Sequence, residues 1–573
     1  MSTTNGPLFL GLDLSTQQLK GLLVDEQSRV VHEISIVLNE RFPEYKTSSG
    51  RYVDGDVVTA PVLMWVEAID LLMSELAASG LAHRVRGIGG AAQQHGSVYW
   101  RKEGVEIIQN LDSKTPLKTQ LQNVEAFALL NSPIWEDTST NKQCRELEAL
   151  AGGAPELARI TGSVAFERFT GTQIAKIKEN HPDVWAQTAR VSLVSSFVAS
   201  VLAGNVVPVD CSDASGTNIY DVQARAWSRK LCDAIDPRLV EMLGQKVALA
   251  DAAVGALSPY FVQRYGLSQC PILAFAGDNP AAFAGFESLF TADDHSVAVM
   301  SLGTSDTVLF PLDTYPYSGD MSSLAMKHLD GHILQHPTIA DRYIAMLCYK
   351  NGSLAREWVR GQCLGADSSW DEFSKAAGSG PMAPTAFGFY YLSTEILPRA
   401  KGIHRFEKCT SGDIVCPSGA KYKRVDRFSD STQGNDCRAI IESQLMSMCV
   451  DYAHKSTNSL TGVAVTGGAS RNQALQQAIA DVLGVSVFAA GVQTTDGFEI
   501  KTPAMPAYGG AVQAMHLLHS TQQADSSDGA AAGADKYMLQ RICSPDNAAH
   551  AVYTQALADF EFLRDHVSSQ FGG

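Results

Sequence analysis

The sequence predicts a mixed α/β protein built of two related domains. Three observations carry this. The chain has 573 residues, too many for one ordinary hydrophobic core. Near its start, LFLGLDLSTQQLKGLLVDE (residues 8–26) reads as an apolar strand, a small polar turn and a second apolar strand. The same design returns in the second half as SVAVMSLGTSDTVLFP (residues 296–311), and repetition at that separation points to duplicated domains rather than a solenoid.

Taken in order, residues 8–14 and 19–25 are strands joined by Ser15-Thr16-Gln17-Gln18, and 29–38 (RVVHEISIVL), rich in β-branched residues, is a third. Val62, Trp65, Val66, Ile69, Leu72, Met73 and Leu76 then recur at helical spacing, with Gly80 as the stop. Residues 192–204 (SLVSSFVASVLAG) form a helix buried on most sides. In the second half, 462–466 (GVAVT) is a strand that runs into Gly467-Gly468-Ala469-Ser470-Arg471-Asn472 and a helix over 473–484. Residues 520–535 are low in complexity and read as a surface loop. Residues 546–567 read as an amphipathic helix packed back on the body.

The composition, 45% hydrophobic and 18% charged, is that of a globular protein. A formal net charge of −16 argues against non-specific binding of nucleic acid or anionic membrane. It also requires any anionic ligand to be held by a metal, by backbone amides or by a few placed cations. The 11 cysteines include no CxxC pair and no Cys/His metal cluster, so reduced thiols in core packing are expected. No signal peptide or membrane span is apparent; a soluble, cytoplasmic protein is expected.

Three turns offer closely approachable backbone N–H groups to an anion: 15–18, 303–305 and 467–470. Beside the first lies Asp13, a lone carboxylate in an apolar run, which is costly to bury without a partner. A divalent cation is a natural companion, because Mg2+ prefers one or two carboxylates together with phosphate oxygens and waters. In PILAFAGDNPAAFAG (residues 271–285) an apolar strand leads into a small-residue helix, with Asn279 suited to the cap and Pro280 to the first helical position. That sets Asp278 at the mouth of a sheet, where the helix end favours the ionised form a general base needs. Hydrogen-bonding groups for a polyol are dense in IGGAAQQHGSVYW (residues 88–100), with Gln93, Gln94, His95 and Ser97, and again in 166–173, around Arg168. The GxxxxGK[ST], HRD, DFG, HExxH and GxSxG signatures are missing. Gly87-Ile88-Gly89-Gly90-Ala91-Ala92 fits a loose GxGxxA dinucleotide fingerprint, but the HRVR before it makes a poor buried strand.

Together these stretches carry a resemblance. GLDLSTQQLKGLLVD, AAQQHGSVYW, ERFTGTQIAKI, SLVSSF, AGDNPA, SLGTSDT, KNGSLAREWV and VTGGASRNQALQ, spread over roughly residues 8–518, resemble the FGGY family of carbohydrate kinases within the actin/hexokinase/Hsp70-type ATPase superfamily. They are most similar to its eukaryotic members that act on D-xylulose. The resemblance implies two ribonuclease-H-like domains of the actin/hexokinase type facing across a catalytic cleft, 1–290 for the sugar and 291–573 for the nucleotide. It implies ATP and Mg2+, with Asp278 as the base on the sugar's terminal hydroxyl and Asp13 meeting the metal. Ser15, Thr16, Gln17 and Gln18, with Gly303, Thr304 and Ser305, match the phosphate turns. His95, Arg168, Asp278 and Asn279 match the sugar contacts. Gly467, Gly468, Ala469 and Asn472 match the adenosine pocket, and Trp370 (SSWDEFSKA) matches a position lining the nucleotide.

The expected activity is phosphorylation of D-xylulose. Rivals are another polyol substrate (ribulose, glycerol or gluconate) and a non-catalytic sugar sensor on the same scaffold. A sensor should have lost the base or the metal carboxylate, and this chain keeps both Asp278 and Asp13. The partner is a small-molecule sugar, with no nucleic acid and no membrane; a homodimer rests on family analogy alone. Residues 313–331, 407–430 and 493–505 are longer than in animal relatives and are expected as surface decoration.

Overall fold

The computed structural model describes residues 6–290, 296–318, 329–378, 380–429, 436–456, 458–495, 497–521 and 535–572. The expected loop at 520–535 lies almost wholly outside these residues. The first half supplies β1 (Leu8–Leu14), β2 (Gln18–Val24), β3 (Arg29–Val37), α1 (Val62–Ala78), β4 (Val85–Ala92), α2 (Thr170–Asn180), α3 (Val194–Ala203), β5 (Pro271–Leu273), β6 (Ala276–Gly277) and α4 (Asp278–Glu287). The second supplies β7 (Val297–Leu302), β8 (Asp306–Leu312), β9 (His332–Gln335), β10 (Tyr343–Tyr349), α5 (Ser353–Leu364) and α6 (Trp370–Ala377). There follow β11 (Ala386–Tyr391), β12 (Gly402–Lys408), β13 (Ile414–Val415), β14 (Lys421–Val425), α7 (Asp436–Ala453), β15 (Gly462–Thr466) and α8 (Gln473–Leu483). The chain ends with β16 (Ser486–Thr494), β17 (Gly497–Ile500), α9 (Met505–Thr521), β18 (Asp535–Cys543) and α10 (Asn547–Phe571).

The duplicated hairpin is the seed of a duplicated sheet. In the first half β1 pairs antiparallel with β2 and β2 with β3, while β4 lies parallel on the other side of β1 and β5 beyond it. In the second half β7, β8 and β10 repeat the antiparallel trio, and β15 and β16 repeat the parallel pair. The two sheets join where β18 meets β3 through Asp535↔Val30 and Lys536↔Arg29.

β1 is buried along its whole length, and its two faces serve different neighbours. Leu8, Leu10, Leu12 and Leu14 pack with Trp65, Ile69, Leu72 and Leu76 of α1. Phe9 turns the other way, towards Ala507, Tyr508 and Ala511 of α9. A strand covered on both faces is apolar nearly throughout, which is why β1 reads as a continuous run, broken by Asp13 near its end, rather than an alternation. Although α9 comes from the second half, it packs on β1, β4 and α4 of the first.

Four readings are corrected or sharpened. The 271–285 helix begins at Asp278, with Gly277 as its cap, so Asn279 is not the cap and Pro280 is the third helical residue; proline is tolerated there because first-turn N–H groups lack helical partners anyway. The GxGxxA stretch lies inside β4 rather than at a strand-to-helix turn, so it offers no amide cradle for a pyrophosphate. Residues 407–430 are more than decoration: they complete a four-stranded sheet, β11-β12-β14-β13, with Tyr422 buried and its hydroxyl donating to Pro384 O at 2.8 Å. Residues 493–505 hold the β16–β17 hairpin turn, whereas much of 313–331 lies outside the described residues. Among the described residues no helix is long and apolar enough to cross a membrane.

Candidate active site

Parallel pairing brings the two chosen carboxylates together. Asp13, next to last in β1, sits beside Ala91 of β4, and Gly277, just before Asp278, sits beside Ala92. Both acids therefore emerge at the carboxyl ends of parallel strands that flank β4, where α/β proteins place their ligands. Asp13 is buried and its Oδ1 has no hydrogen-bond partner. Burial pushes its carboxyl up to about 7, the negative charge of Asp278 adds to the rise, and Lys20 opposes it. Asp278 is partly exposed at the start of α4. Its enclosed setting raises it to about 6, against hydrogen bonds from the Asn279 and Gln94 backbone amides. Asn279 donates to Asp278 Oδ1 from its backbone N–H at 2.9 Å and from Nδ2 at 3.1 Å, and Nδ2 also reaches Gln94 Oε1 at 3.2 Å.

A cavity of about 270 Å³ opens beside Asp278, lined by Gln94, His95, Arg168 and Asn279 from the first half and by Ser305, Cys348 and Lys350 from the second. His95 has a left-handed φ of 70°. Its Nδ1 lies 2.9 Å from Gly216 O. A carbonyl only accepts, so Nδ1 carries the proton and Nε2 keeps its lone pair. Burial and the nearby Arg168 charge hold the imidazole down at about 3, so it is an acceptor for a ligand hydroxyl at neutral pH.

The two hairpin turns are fixed by different means. In the first, the Ser15 N–H and Oγ both donate to Gln18 O, at 2.9 and 3.0 Å, and Thr16 Oγ1 accepts from Trp135 Nε1 at 2.9 Å. In the second, Gly303 O accepts from Ser353 N–H at 2.8 Å. Asp306, immediately after the turn, forms a buried pair with Arg356 of α5 (Nη1–Oδ2 2.7 Å, Nη2–Oδ1 3.1 Å).

The third turn follows β15. Gly467 has a φ of 89° and lies so close to Leu302 O that a Cβ would collide with it. Gly468 faces open space, and the Ala469 side chain lies outside the described residues. Asn472 caps α8, accepting from Leu475 N–H at 3.0 Å, and donates from Nδ2 to Ser374 Oγ of α6 at 2.8 Å. Trp370 opens that same helix, is 39% exposed, and stacks under the Arg360 guanidinium at 4.5 Å. The third turn, Asn472 and Trp370 thus form one neighbourhood, and none of them lines the cavity at Asp278.

Sequence reasoning assigned no role to Trp135, Arg356, Lys350 or His332. Arg356 and Lys350 lie in the quoted KNGSLAREWV, where basic residues on a helical pattern read as solvated; Trp135 and His332 carry no local signal at all.

The comparisons identify the family. The N-terminal domain of the FGGY family of carbohydrate kinases matches residues 121–285, and the C-terminal domain matches residues 298–495. The chain is 40% identical over 516 residues to a xylulose kinase of Rattus norvegicus, covering 89% of this chain and 88% of that protein. It is 39% identical over 514 residues to xylulose kinase 2 of Arabidopsis thaliana, covering 88% and 87%. The crystal structure of xylulose kinase from Rhodospirillum rubrum superposes with a TM-score of 0.74 at 16% identity, over 99% of this chain and all of that one, which shows a shared fold. Matched by both halves of one family and at this identity over most of its length, the chain belongs to the FGGY family of carbohydrate kinases, enzymes that phosphorylate sugars with ATP.

Proposed function

We propose that this kinase converts D-xylulose to D-xylulose 5-phosphate, with Asp278 as the general base. The observation that carries the reading is the single cavity in which Asp278, His95, Arg168 and Asn279 face Ser305 of the second hairpin turn. Support for the substrate comes from the xylulose kinases of rat and Arabidopsis, similar over most of their length. Asp278 accepts the proton of the terminal hydroxyl as that oxygen attacks the γ-phosphorus. The neutral His95 accepts a hydroxyl hydrogen bond, and Arg168 and Asn279 donate. The turns 15–18 and 303–305 cradle the ATP phosphates, while 467–469, Asn472 and Trp370 border the adenosine. Positioning and charge stabilisation do most of the work in phosphoryl transfer, and closure of the two halves excludes water as a competing acceptor.

The residues fit Mg2+ on this chain's own terms. Asp13 Oδ1 is a buried oxygen without a partner, and Asp278 adds a second negative charge nearby. Mg2+ takes one or two carboxylates together with phosphate oxygens and water. When bound, it neutralises charge on the phosphates. The reading divides the chain into 1–290 and 291–573, between α4 and β7.

The test is ADP release with Mg2+-ATP over a panel of D-xylulose, D-ribulose, L-ribulose, glycerol and gluconate, with a no-sugar blank. Selective turnover of D-xylulose is expected. A preference for another polyol overturns the substrate, and silence on every sugar with ATP still bound overturns the catalytic reading in favour of a sensor.

A further inference from the structure

Arg168 is a cation with an unusual set of neighbours. Among the described residues no carboxylate forms an ion pair with it. Its Nη2 lies 2.9 Å from His332 Nε2, and its guanidinium lies 5.0 Å from the Phe166 ring and 5.8 Å from the Phe169 ring. A guanidinium has only donors, so His332 Nε2 must hold a lone pair and the ring must be neutral, with its proton on Nδ1. Ser163 Oγ, 3.3 Å from Nδ1, is the acceptor for that proton. The His332 ring also meets the edge of Phe166 at 4.6 Å and packs on Phe169 at 5.0 Å. One neutral lone pair and two ring faces thus fix the guanidinium without cancelling its charge. A carboxylate in the same place would hold it as firmly and quench it.

His332 belongs to the other half of the chain. It opens β9, the edge strand of the second sheet, and is only 2% exposed. The strand is stitched to the first half just after this contact. Ile333 N–H donates to Gly162 O at 2.9 Å, Gln335 N–H to Ser215 Oγ at 3.1 Å, and Tyr220 OH to Gln335 Oε1 at 2.8 Å. The position of His332 is therefore set by hydrogen bonds across the seam from the residues that follow it, together with Ser163 Oγ at its own ring.

We propose that His332 is a positioning residue of the sugar site: it orients Arg168 from the opposite domain, so that the sugar pocket is complete only when both halves are docked. This rests on Arg168 contacting the sugar, as in the proposed function. His332 does not line the cavity, so it acts through the guanidinium, whose remaining N–H groups it leaves free to donate to sugar oxygens.

The test is steady-state kinetics with D-xylulose and Mg2+-ATP for His332→Leu, His332→Gln, Arg168→Ala and the Arg168→Ala/His332→Leu pair, alongside thermal unfolding. His332→Leu should raise the sugar KM by about 10- to 100-fold, on the scale of one lost hydrogen bond to a charged group. The ATP KM should stay within about twofold and kcat within a few-fold. His332→Gln, whose amide oxygen can accept from Arg168, should recover most of the loss. In the Arg168→Ala background His332→Leu should add nothing, as expected of residues that act as one unit. Additive effects, equal losses in both KM values, or no recovery by Gln overturn the proposal. An unchanged sugar KM in His332→Leu beside a raised one in Arg168→Ala overturns it while sparing the sugar-contact reading, and an unchanged sugar KM in Arg168→Ala overturns that reading itself. Should His332→Leu fail to fold, Ser163→Ala removes the acceptor that fixes the ring tautomer. A several-fold rise in sugar KM alone is expected there, and no change counts against the proposal.

Discussion

Asp13 and Asp278 are two acids of like charge held close at the ends of parallel strands, and each is pushed upward chiefly by burial. Such an arrangement costs the protein stability unless something positive meets it. Asp278→Ala should leave sugar and ATP binding measurable by calorimetry and lower kcat by about 10²- to 10⁴-fold, the range for a lost general base; turnover within a few-fold of the parent would remove Asp278 from its role. Asp13→Asn should abolish activity yet raise the melting temperature of the metal-free protein by several degrees. The sign follows from linkage. A carboxyl raised from 3.8 to about 7 in the fold binds its proton more tightly folded than unfolded, so its stabilising contribution is full at acidic pH and is lost as pH rises through about 7. The advantage of the Asn variant should therefore grow as pH rises from about 3.8 to about 7 and level off above that. A melting point that falls instead would mean that Asp13 already has a stabilising partner.

At the scale of elements, the second hairpin turn is held by α5. Arg356 pairs with Asp306 just after the turn and donates to Gln444 Oε1 of α7 at 2.7 Å. Gln444 Nε2 in turn donates to Asn351 O at 2.7 Å. One buried bidentate pair thus ties the second hairpin turn to two helices. Removing one member of a buried pair is more damaging than removing both, because the survivor keeps its desolvation cost. Arg356→Met should destabilise by about 3–5 kcal/mol in denaturant unfolding and raise the ATP KM more than the sugar KM. Adding Asp306→Leu should recover much of the stability while leaving ATP binding weak. If the double variant also recovers the ATP KM, the pair serves stability alone and does not shape the turn.

For the whole molecule, the contacts among the described residues that join the two halves include the short β3–β18 pairing, the seam along β9, and α9 packed on α4, β1 and β4. At the helices the approach is close enough to demand glycine. A Cβ on Gly509 would lie 2.6 Å from Ala281 O and 3.0 Å from Gly285 N. Because α4 begins with Asp278, prying these helices apart displaces the proposed base. Gly509→Ala should cost about 1–3 kcal/mol, the usual range for overpacking, and lower kcat by at least tenfold without a matching change in either KM. Unaltered kcat in a destabilised variant would show that α4 takes its position from β4 and β6 rather than from α9.

Much of this was readable in the residues. The strand Leu8–Leu14, the polar turns after it and after Leu302, the helix from Val62 and the strand Gly462–Thr466 are local events. They follow from side-chain periodicity and turn chemistry within a few residues, and the repeated hairpin announced the duplicated sheet. The candidate carboxylates were legible for the same reason, as charges where a strand has no use for one. What the residues could not disclose is which distant strands pair. The parallel contacts of β1 with β4 and of β7 with β15 bring Asp278 to Asp13 and Gly467 to Leu302, and no local pattern encodes a partner so far along the chain. Likewise Trp135 against Thr16 joins residues far apart within the first half, and α9 across β1 and His332 behind Arg168 exist only once the two halves are docked. The sequence alone determined the elements and the chemistry each could offer. Tertiary packing decided which of them share a pocket, because burial and charge coupling depend on distance in space rather than along the chain.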